Sequence, residues 1–84
     1  MKILFADQGW DDFSYWVLHD KKIAKRILRL IKEIQRDPFG GIGKPEPLKH
    51  DLAGFWSRRI NDEHRLVYTV ENNQLQIAQA RYHY

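Results

Sequence analysis

No cysteine occurs in this 84-residue sequence, which excludes disulfide bonds and thiolate metal sites. No segment approaches the roughly 20 consecutive apolar residues of a membrane-spanning helix. The start of the chain also lacks the apolar stretch of about 7–15 residues that a secretory signal peptide requires. These absences predict a cytoplasmic protein that does not associate with membranes.

Motifs for nucleotide, metal and triad sites are missing as well. The glycine-rich segment 39–47 lacks the GxxxxGK spacing, followed by Ser or Thr, of a phosphate-binding loop. Ser14 and Ser57 have no nucleophile motif around them. Three histidines are scattered without ligand spacing: His19, His50 and His64. We therefore expect neither a metal nor a cofactor.

What the chain does contain is typical of a small globular protein. Hydrophobic residues make up 43% and charged residues 30% of the sequence, which is too apolar for a disordered chain. A length of 84 residues predicts one domain, 1–84. The net charge of +3 and the sequence pI near 9.3 favour a polyanionic partner.

The first half of the chain predicts a strand and two helices. Lys2 to Phe5 form a short strand, and Asp7 follows as the N-cap of a helix that continues to about His19. Asp20 caps a second helix, whose apolar residues recur at i, i+3, i+4 and i+7. Pro38 ends this helix, because proline disfavours α conformation in the preceding residue. The apolar stripe of the first helix is predicted to face the core: Trp10, Phe13, Trp16 and Val17.

The second helix carries half of the basic residues on the side opposite its apolar stripe. Seven of the 14 Lys and Arg residues lie on it, against the single acid Glu33. A solvated helix face normally mixes both signs of charge. This basic face is therefore predicted to contact a nucleic acid backbone or an acidic protein: Lys21, Lys22, Lys25, Arg26, Arg29, Lys32 and Arg36.

The last third of the chain has the alternation and the turn residues of three strands. They are predicted at 55–60, 64–70 and 74 to about 82, joined by turns at 61–63 and 72–73. Short turns imply an antiparallel meander, and the first strand is expected in the same sheet. The fold class is therefore α+β, with two N-terminal helices packed on a small, mainly antiparallel, twisted sheet.

Strand alternation brings charged residues to one face of this sheet, because side chains two positions apart share a face. Arg65 is out of phase with the apolar residues of its strand, and Arg58 and Arg59 point to opposite faces. Arg81 and His83 are predicted as neighbours on one face of the last strand, with Arg81 as an RNA contact. The register that would bring these residues together does not follow from the sequence.

These residue types suit RNA cleavage without a metal. A general base must remove the proton of the ribose 2′-hydroxyl, fixed positive charge must stabilise the transition state, and the 5′-oxygen must gain a proton. Glu46, held between two prolines, and His83 are candidates for both base and acid. Arg65 and Lys49 are candidates for the positive charge.

Two stretches of the second half resemble a known family. The run KPEPLKHDLAGFWSRRINDEHRLVY (44–68) and the closing ARYHY (80–84) are similar to the YoeB toxins of the RelE/ParE toxin–antitoxin superfamily. The resemblance covers nearly the whole chain, including the DPF turn at 37–39. It implies a microbial-ribonuclease-like α+β fold and a toxin that cuts mRNA in the ribosomal A site.

The resemblance also implies roles for individual residues. Glu46 would be the general base, Arg65 the stabiliser of the transition state and His83 the general acid. Tyr84 would orient the nucleotide, and two residues would contact phosphates, Lys49 and Arg59. The basic helix face would suit ribosomal RNA. The implied partners are a YefM-type antitoxin, the ribosome with its A-site mRNA, and a second copy in a homodimer.

Two alternatives stay open on the sequence alone. ParE-like members of the same superfamily inhibit DNA gyrase without cutting RNA. A basic RNA-binding module would bind its ligand without any chemistry. Neither of these functions needs the combination of Glu46, Arg65 and His83.

Overall fold

The computed structural model describes residues 1–83. Along the chain its elements are β1 (Lys2–Phe5), α1 (Asp7–His19), α2 (Lys21–Arg36), β2 (Glu46–Pro47), β3 (Trp56–Arg59), β4 (Arg65–Glu71) and β5 (Gln74–Gln79). One 3₁₀ turn, His50–Leu52, lies between β2 and β3. Within the described part of the chain, neither helix is long and apolar enough to cross a membrane. The predicted α+β class is confirmed.

The five strands form one sheet in the order β1–β5–β4–β3–β2. The pairs β3–β4 and β4–β5 form the predicted antiparallel meander, and β2 adds a further antiparallel pair to β3. Strand β1 runs parallel to β5. The register shifts between Val67 and Tyr68, where β5 contains one extra residue, Ala78, between Ile77 and Gln79. The sequence assigned the β2 residues to a loop, because two residues are too few to show an alternation.

Both helices contribute to the core on one face of the sheet. The apolar stripe of α2 packs against those residues of β4 and β5 that point the same way. The fully buried members are Ile27, Leu30, Ile34, Leu66, Tyr68, Leu75 and Ile77. Trp16 of α1 joins this core, but Trp10 and Val17 are exposed, contrary to the prediction. Helix α1 contacts β1, β5 and α2, so it lies near the sheet edge and buries a narrower stripe.

The helix ends follow from local chemistry. Asp20 accepts hydrogen bonds at Oδ1 from the N–H groups of Lys22 (3.1 Å) and Ile23 (3.3 Å), which confirms it as the N-cap of α2. Asp7 is instead the first helical residue of α1, and the preceding Ala6 caps it without a side-chain bond. The end of α2 before Pro38 is as predicted.

A buried arginine attaches the glycine-rich loop to the sheet. Arg58 is fully buried and donates from Nε to Tyr68 Oη at 3.1 Å. Its Nη1 donates to the carbonyl of Ile42 (2.9 Å), and its Nη2 to that of Asp37 (2.7 Å). The Tyr68 hydroxyl in turn donates to the carbonyl of Pro38 at 2.8 Å. These bonds compensate the desolvation of the guanidinium and fix the loop between α2 and β2.

This network generates a prediction for alkaline stability. Burial raises the pKa of Tyr68 above its ordinary value of 10.0, and the adjacent Arg58 guanidinium only partly offsets this rise. The fold therefore favours the protonated phenol. The stabilisation is complete below about pH 10 and is lost as the pH rises through the raised pKa, because the unfolded chain then binds fewer protons than the native one.

We expect the free energy of unfolding, measured by urea titration between about pH 9 and about pH 11, to fall more steeply for the wild type than for Tyr68→Phe. The variant lacks this titration, although it is less stable at neutral pH because it loses the bonds to Arg58 and Pro38. Parallel curves for the two proteins would contradict the prediction.

A second stability prediction concerns the contact between α1 and β5. A Cβ atom at Gly9 would overlap the carbonyl oxygen of Ile77. Helix propensity alone would favour Gly9→Ala by about 1 kcal/mol. We expect the overlap to reverse this sign and to destabilise the protein by about 1–3 kcal/mol in urea unfolding. A stabilised variant would show that the helix shifts at no cost.

Candidate active site

A cleft of about 220 Å³ opens on the face of the sheet opposite the core, which we call the open face. Its lining comes from β2, β3, β4, the loop before β2 and the segment after β5: Lys44, Glu46, Ser57, Arg59, Arg65 and His83. The sequence predicted four of these as site residues. The structure therefore brings the predicted base, acid and transition-state cation, with one predicted phosphate contact, into a single cleft.

The strand register explains why four of these side chains point the same way. Glu46 of β2 pairs with Ser57 of β3, and Arg59 of β3 pairs with Arg65 of β4. Paired residues share a face of the sheet, and so do residues two positions apart, such as Ser57 and Arg59. The predicted separation of Arg58 and Arg59 to opposite faces is also confirmed, since Arg58 lies in the core.

The loop before β2 places Glu46 at the edge of the cleft. The N–H of Arg59 donates to the carbonyl of Gly43 at 2.7 Å, which joins this loop to β3. Gly43 has a φ of +86°, and a Cβ there would lie 2.9 Å from the side chain of Leu30. Glycine is therefore required at this turn. Glu46 itself is exposed, so its carboxylate is accessible to a ligand in the cleft.

Arg65 presents a fixed cation to the cleft. Arg65 is 8% exposed. Its Nη1 donates to the carbonyls of Asn61 (2.7 Å), His64 (3.1 Å) and Asp62 (3.2 Å). These oxygens orient the guanidinium without neutralising its charge. Among residues 1–83, no acid lies within salt-bridge distance of it. The positive charge is therefore available to an anion in the cleft.

His83 reaches the cleft because the chain turns after β5. The predicted strand to about Tyr82 is wrong at its end: β5 stops at Gln79, and Tyr82 has a φ of +63°. The Gln79 side chain donates to the carbonyls of Arg81 (3.3 Å) and His83 (3.5 Å). The turn directs His83 towards the cleft that contains Glu46.

Arg81 lies elsewhere, and its predicted place beside His83 on one strand face is wrong. Its guanidinium carbon is 3.6 Å from the centre of the Tyr15 ring on α1 and 4.7 Å from that of Tyr82. The prediction failed because strand alternation stops at Gln79. Arg81 and His83 instead line a second cleft, of about 360 Å³, beside α1.

Several predicted RNA contacts lie outside the central cleft. Lys49 lines a neighbouring cleft of about 460 Å³, which shares Glu46 with the central one. No basic residue of α2 lines either cleft. Arg26 contacts the backbone of a cleft residue, because its Nη2 donates to the carbonyl of Arg59 at 3.1 Å. The other residues of the basic helix face are exposed: Lys21, Lys22, Lys25, Arg29, Lys32 and Arg36. Tyr84 lies outside the described residues.

Sequence reasoning missed two residues of the cleft, Lys44 and Ser57. Ser57 carries a usable signal, because it is two positions from Arg59 in the same predicted strand. Lys44 has no such sequence signal, because it lies in an irregular loop without alternation, where its backbone adopts a φ of +51°. With Lys44, the described lining of the cleft contains three cationic side chains besides His83, and one carboxylate, that of Glu46. This balance suits an anionic ligand such as a phosphodiester.

Comparison with known proteins identifies the family of this chain. Residues 5–84 match the family model for the YoeB-like toxin of bacterial type II toxin–antitoxin systems. The chain is 61% identical to toxin YoeB of Streptomyces coelicolor and 58% identical to toxin YoeB of Escherichia coli K12, each over 84 residues and all of both chains. The resemblance seen in the sequence motifs is thus confirmed.

Solved structures give the same result. The fold superposes on the YoeB/ParE toxin of Agrobacterium tumefaciens with a TM-score of 0.98 at 46% identity over all of both chains. It superposes on the Staphylococcus aureus YoeB dimer with a TM-score of 0.94 at 50% identity, and on the S. aureus YoeB–YefM complex with 0.93 at 49% identity. Both alignments cover 100% of this chain and 98% of the other. The chain therefore belongs to the YoeB-like toxins of bacterial type II toxin–antitoxin systems.

Proposed function

We propose that this toxin is a ribosome-dependent endoribonuclease of the cytoplasm, which cuts mRNA in the A site without a metal and so stops translation. One observation carries the proposal: a carboxylate, an imidazole and a fixed guanidinium line one cleft on the open face. An inhibitor that only binds gyrase needs no such combination. The match to the YoeB-like toxins supports the same function.

The reaction assigns one task to each of these groups. Glu46 takes the proton of the ribose 2′-hydroxyl, and the 2′-oxygen attacks the adjacent phosphorus. The bond from phosphorus to the 5′-oxygen breaks, and His83 donates a proton to this leaving oxygen. The products are a 2′,3′-cyclic phosphate and a 5′-hydroxyl, so protons and bonds balance without water or a further reactant.

Arg65 stabilises the charge that develops on the phosphoryl oxygens. Its guanidinium is held by three backbone carbonyls before any substrate arrives, so little reorganisation is needed in the transition state. Lys44 and Arg59 add positive charge around the same phosphate. Tyr84 follows His83 directly in the sequence and is proposed to orient the nucleotide.

The remaining basic residues are proposed to hold the substrate and the ribosome. Lys49 lies in the cleft beside Glu46, where an RNA strand leaving the site would pass, and Arg81 lies in the cleft on the far side of His83. The exposed lysines of α2 form a continuous basic surface that suits the phosphate backbone of ribosomal RNA.

We also propose a YefM-type antitoxin and a second copy of the chain as protein partners. The S. aureus relatives described above occur as a dimer and in complex with YefM. Several large apolar side chains of this protein are exposed and available for such interfaces: Trp10, Leu18, Leu28 and Phe39.

The first test of this function is single-turnover cleavage of an mRNA bound to ribosomes. We expect Glu46→Gln and His83→Gln each to slow cleavage by about 10²–10⁴-fold, because each removes one proton transfer. Glu71→Gln is a matched control, since Glu71 is an exposed acid on the same sheet, and His19→Gln is the histidine control. Both controls are expected to cleave at the wild-type rate.

The chemical ends of the products provide an independent readout. Fragments with a 3′-hydroxyl and a 5′-phosphate would contradict attack by the 2′-hydroxyl. A double variant, Glu46→Gln with His83→Gln, that still arrested growth and inhibited gyrase supercoiling would instead favour the ParE-like alternative.

A second test concerns the fixed guanidinium. Arg65→Lys keeps the charge, but Nη1 of Arg65 already donates to three carbonyls, and an ammonium group has no second nitrogen to donate to a phosphate. We expect kcat to fall by about 10²-fold, with a smaller change in KM. Arg59→Lys is the matched control, since Arg59 is paired with Arg65 in register but exposed. An equal loss in both variants would mean that only net charge matters at Arg65.

A further inference from the structure

The position of His83 poses a geometric problem, because β5 is three strands away from β2. Neighbouring strands are about 4.8 Å apart, so about 14 Å of sheet separates β5 from the strand that carries Glu46. An extended chain after Gln79 would continue along β4, past Arg65, and would not approach β2. Because His83 lines the same cleft as Glu46, specific contacts must direct the segment 80–83 across the open face.

Two buried side chains of α1 hold the first residue of this segment. Asp12 accepts from the N–H of Ala80 at Oδ2 (2.9 Å), and its Oδ1 accepts from the Gln8 side chain (2.7 Å). Trp16 donates from Nε1 to the carbonyl of Ala80 at 2.8 Å. Both backbone groups of Ala80 are therefore bonded to side chains of the helix.

The residue before His83, Tyr82, is held in the same manner by His64 and by Arg65, the first residue of β4. The N–H of Tyr82 donates to Nδ1 of His64 at 2.8 Å, and its carbonyl accepts from the N–H of Arg65 at 3.1 Å. His64 is 6% exposed, and its ring lies edge-on to that of Trp16 with 4.8 Å between the ring centres. The His64 imidazole is thus held by its contact with the Trp16 ring and by its hydrogen bond with Tyr82.

Apolar packing cannot replace these bonds at the end of the segment. Tyr82 is 55% exposed and His83 is exposed, so hydrophobic burial contributes little to their position. Tyr82 also adopts a left-handed φ of +63°. This conformation costs a non-glycine residue about 1 kcal/mol or more, so it persists only where surrounding contacts offset the cost. The hydrogen bonds to Tyr82 hold this conformation, together with those from the Gln79 side chain to the carbonyls of Arg81 and His83.

We propose that His64 and Asp12 are positioning residues of the nuclease: they hold the backbone on which His83 donates its proton to the leaving oxygen. This inference rests on the proposed function, in which His83 is the general acid. His64 acts through the N–H of Tyr82, and Asp12 through the N–H of Ala80. Neither side chain lines the central cleft.

The variants are chosen to remove or to replace the atom that accepts the hydrogen bond from Tyr82, which is Nδ1 of His64. His64→Leu removes the acceptor for the N–H of Tyr82, whereas His64→Asn places an amide oxygen near the position of Nδ1. We expect His64→Leu to reduce kcat by about 10–100-fold at nearly unchanged KM, because a displacement near 1 Å costs about this much. We expect His64→Asn to restore most of the activity. His19→Leu is the control at an exposed histidine.

A substrate with sulfur in place of the bridging 5′-oxygen separates positioning from general loss of structure. A thiolate leaves without a proton, so a defect in the general acid should disappear on this substrate. We expect His83→Gln, His64→Leu and Asp12→Ala to cleave it at close to the wild-type rate, whereas Glu46→Gln stays slow. Circular dichroism and thermal unfolding show which variants are folded. If His64→Leu is not folded, Asp12→Ala provides the test of the positioning role.

The outcomes distinguish this inference from the function on which it rests. If His83→Gln is not rescued by the sulfur substrate, the acid role of His83 is wrong and the proposed function needs revision. If His83→Gln is rescued but the folded His64→Leu and Asp12→Ala variants are not, the function stands and the positioning role is refuted. Full activity of both variants on the natural substrate would refute it as well.

Discussion

The hydrogen bond from the N–H of Arg65 to the carbonyl of Tyr82 joins the two parts of the chain that line the candidate site. Arg65 is the first residue of β4, the middle strand of the sheet, and Tyr82 directly precedes His83. Strand β4 pairs with β3, and β3 pairs with the short strand that carries Glu46. One strand therefore sets the relative positions of the guanidinium, the carboxylate and the imidazole.

Two buried arginines meet the same physical constraint with different results. Burying a guanidinium is costly unless its donors are bonded, and both Arg58 and Arg65 donate to backbone carbonyls. Arg58 lies on the core face, and its bonds fix the glycine-rich loop that leads to Glu46. Arg65 lies on the open face, where its charge remains available to an anion because the carbonyls orient it without neutralising it.

Local patterns predicted the elements well where many residues repeat one signal. The periodicity of α2 and the Asp20 cap gave the correct helix, and the turns at 61–63 and 72–73 separated the last strands. The errors have physical causes. Strand β2 is too short to show alternation. The segment 80–82 was predicted as strand, but the left-handed conformation of Tyr82 is incompatible with a strand. Trp10 is exposed because it lies on a part of α1 that the sheet does not cover.

The sequence by itself determined the residue types of the site, the fold class and, through the motifs at 44–68 and 80–84, the family. It also placed Arg65 away from the core and put Arg58 and Arg59 on opposite faces, because alternation along a strand is a local property. Only the tertiary structure decided that Glu46 and His83 share a cleft, that Arg81 packs against Tyr15, and that Asp12 and His64 bond to the backbone of Ala80 and Tyr82. These contacts join residues that are far apart in the chain, so they depend on register, strand order and one backbone turn that no local pattern records.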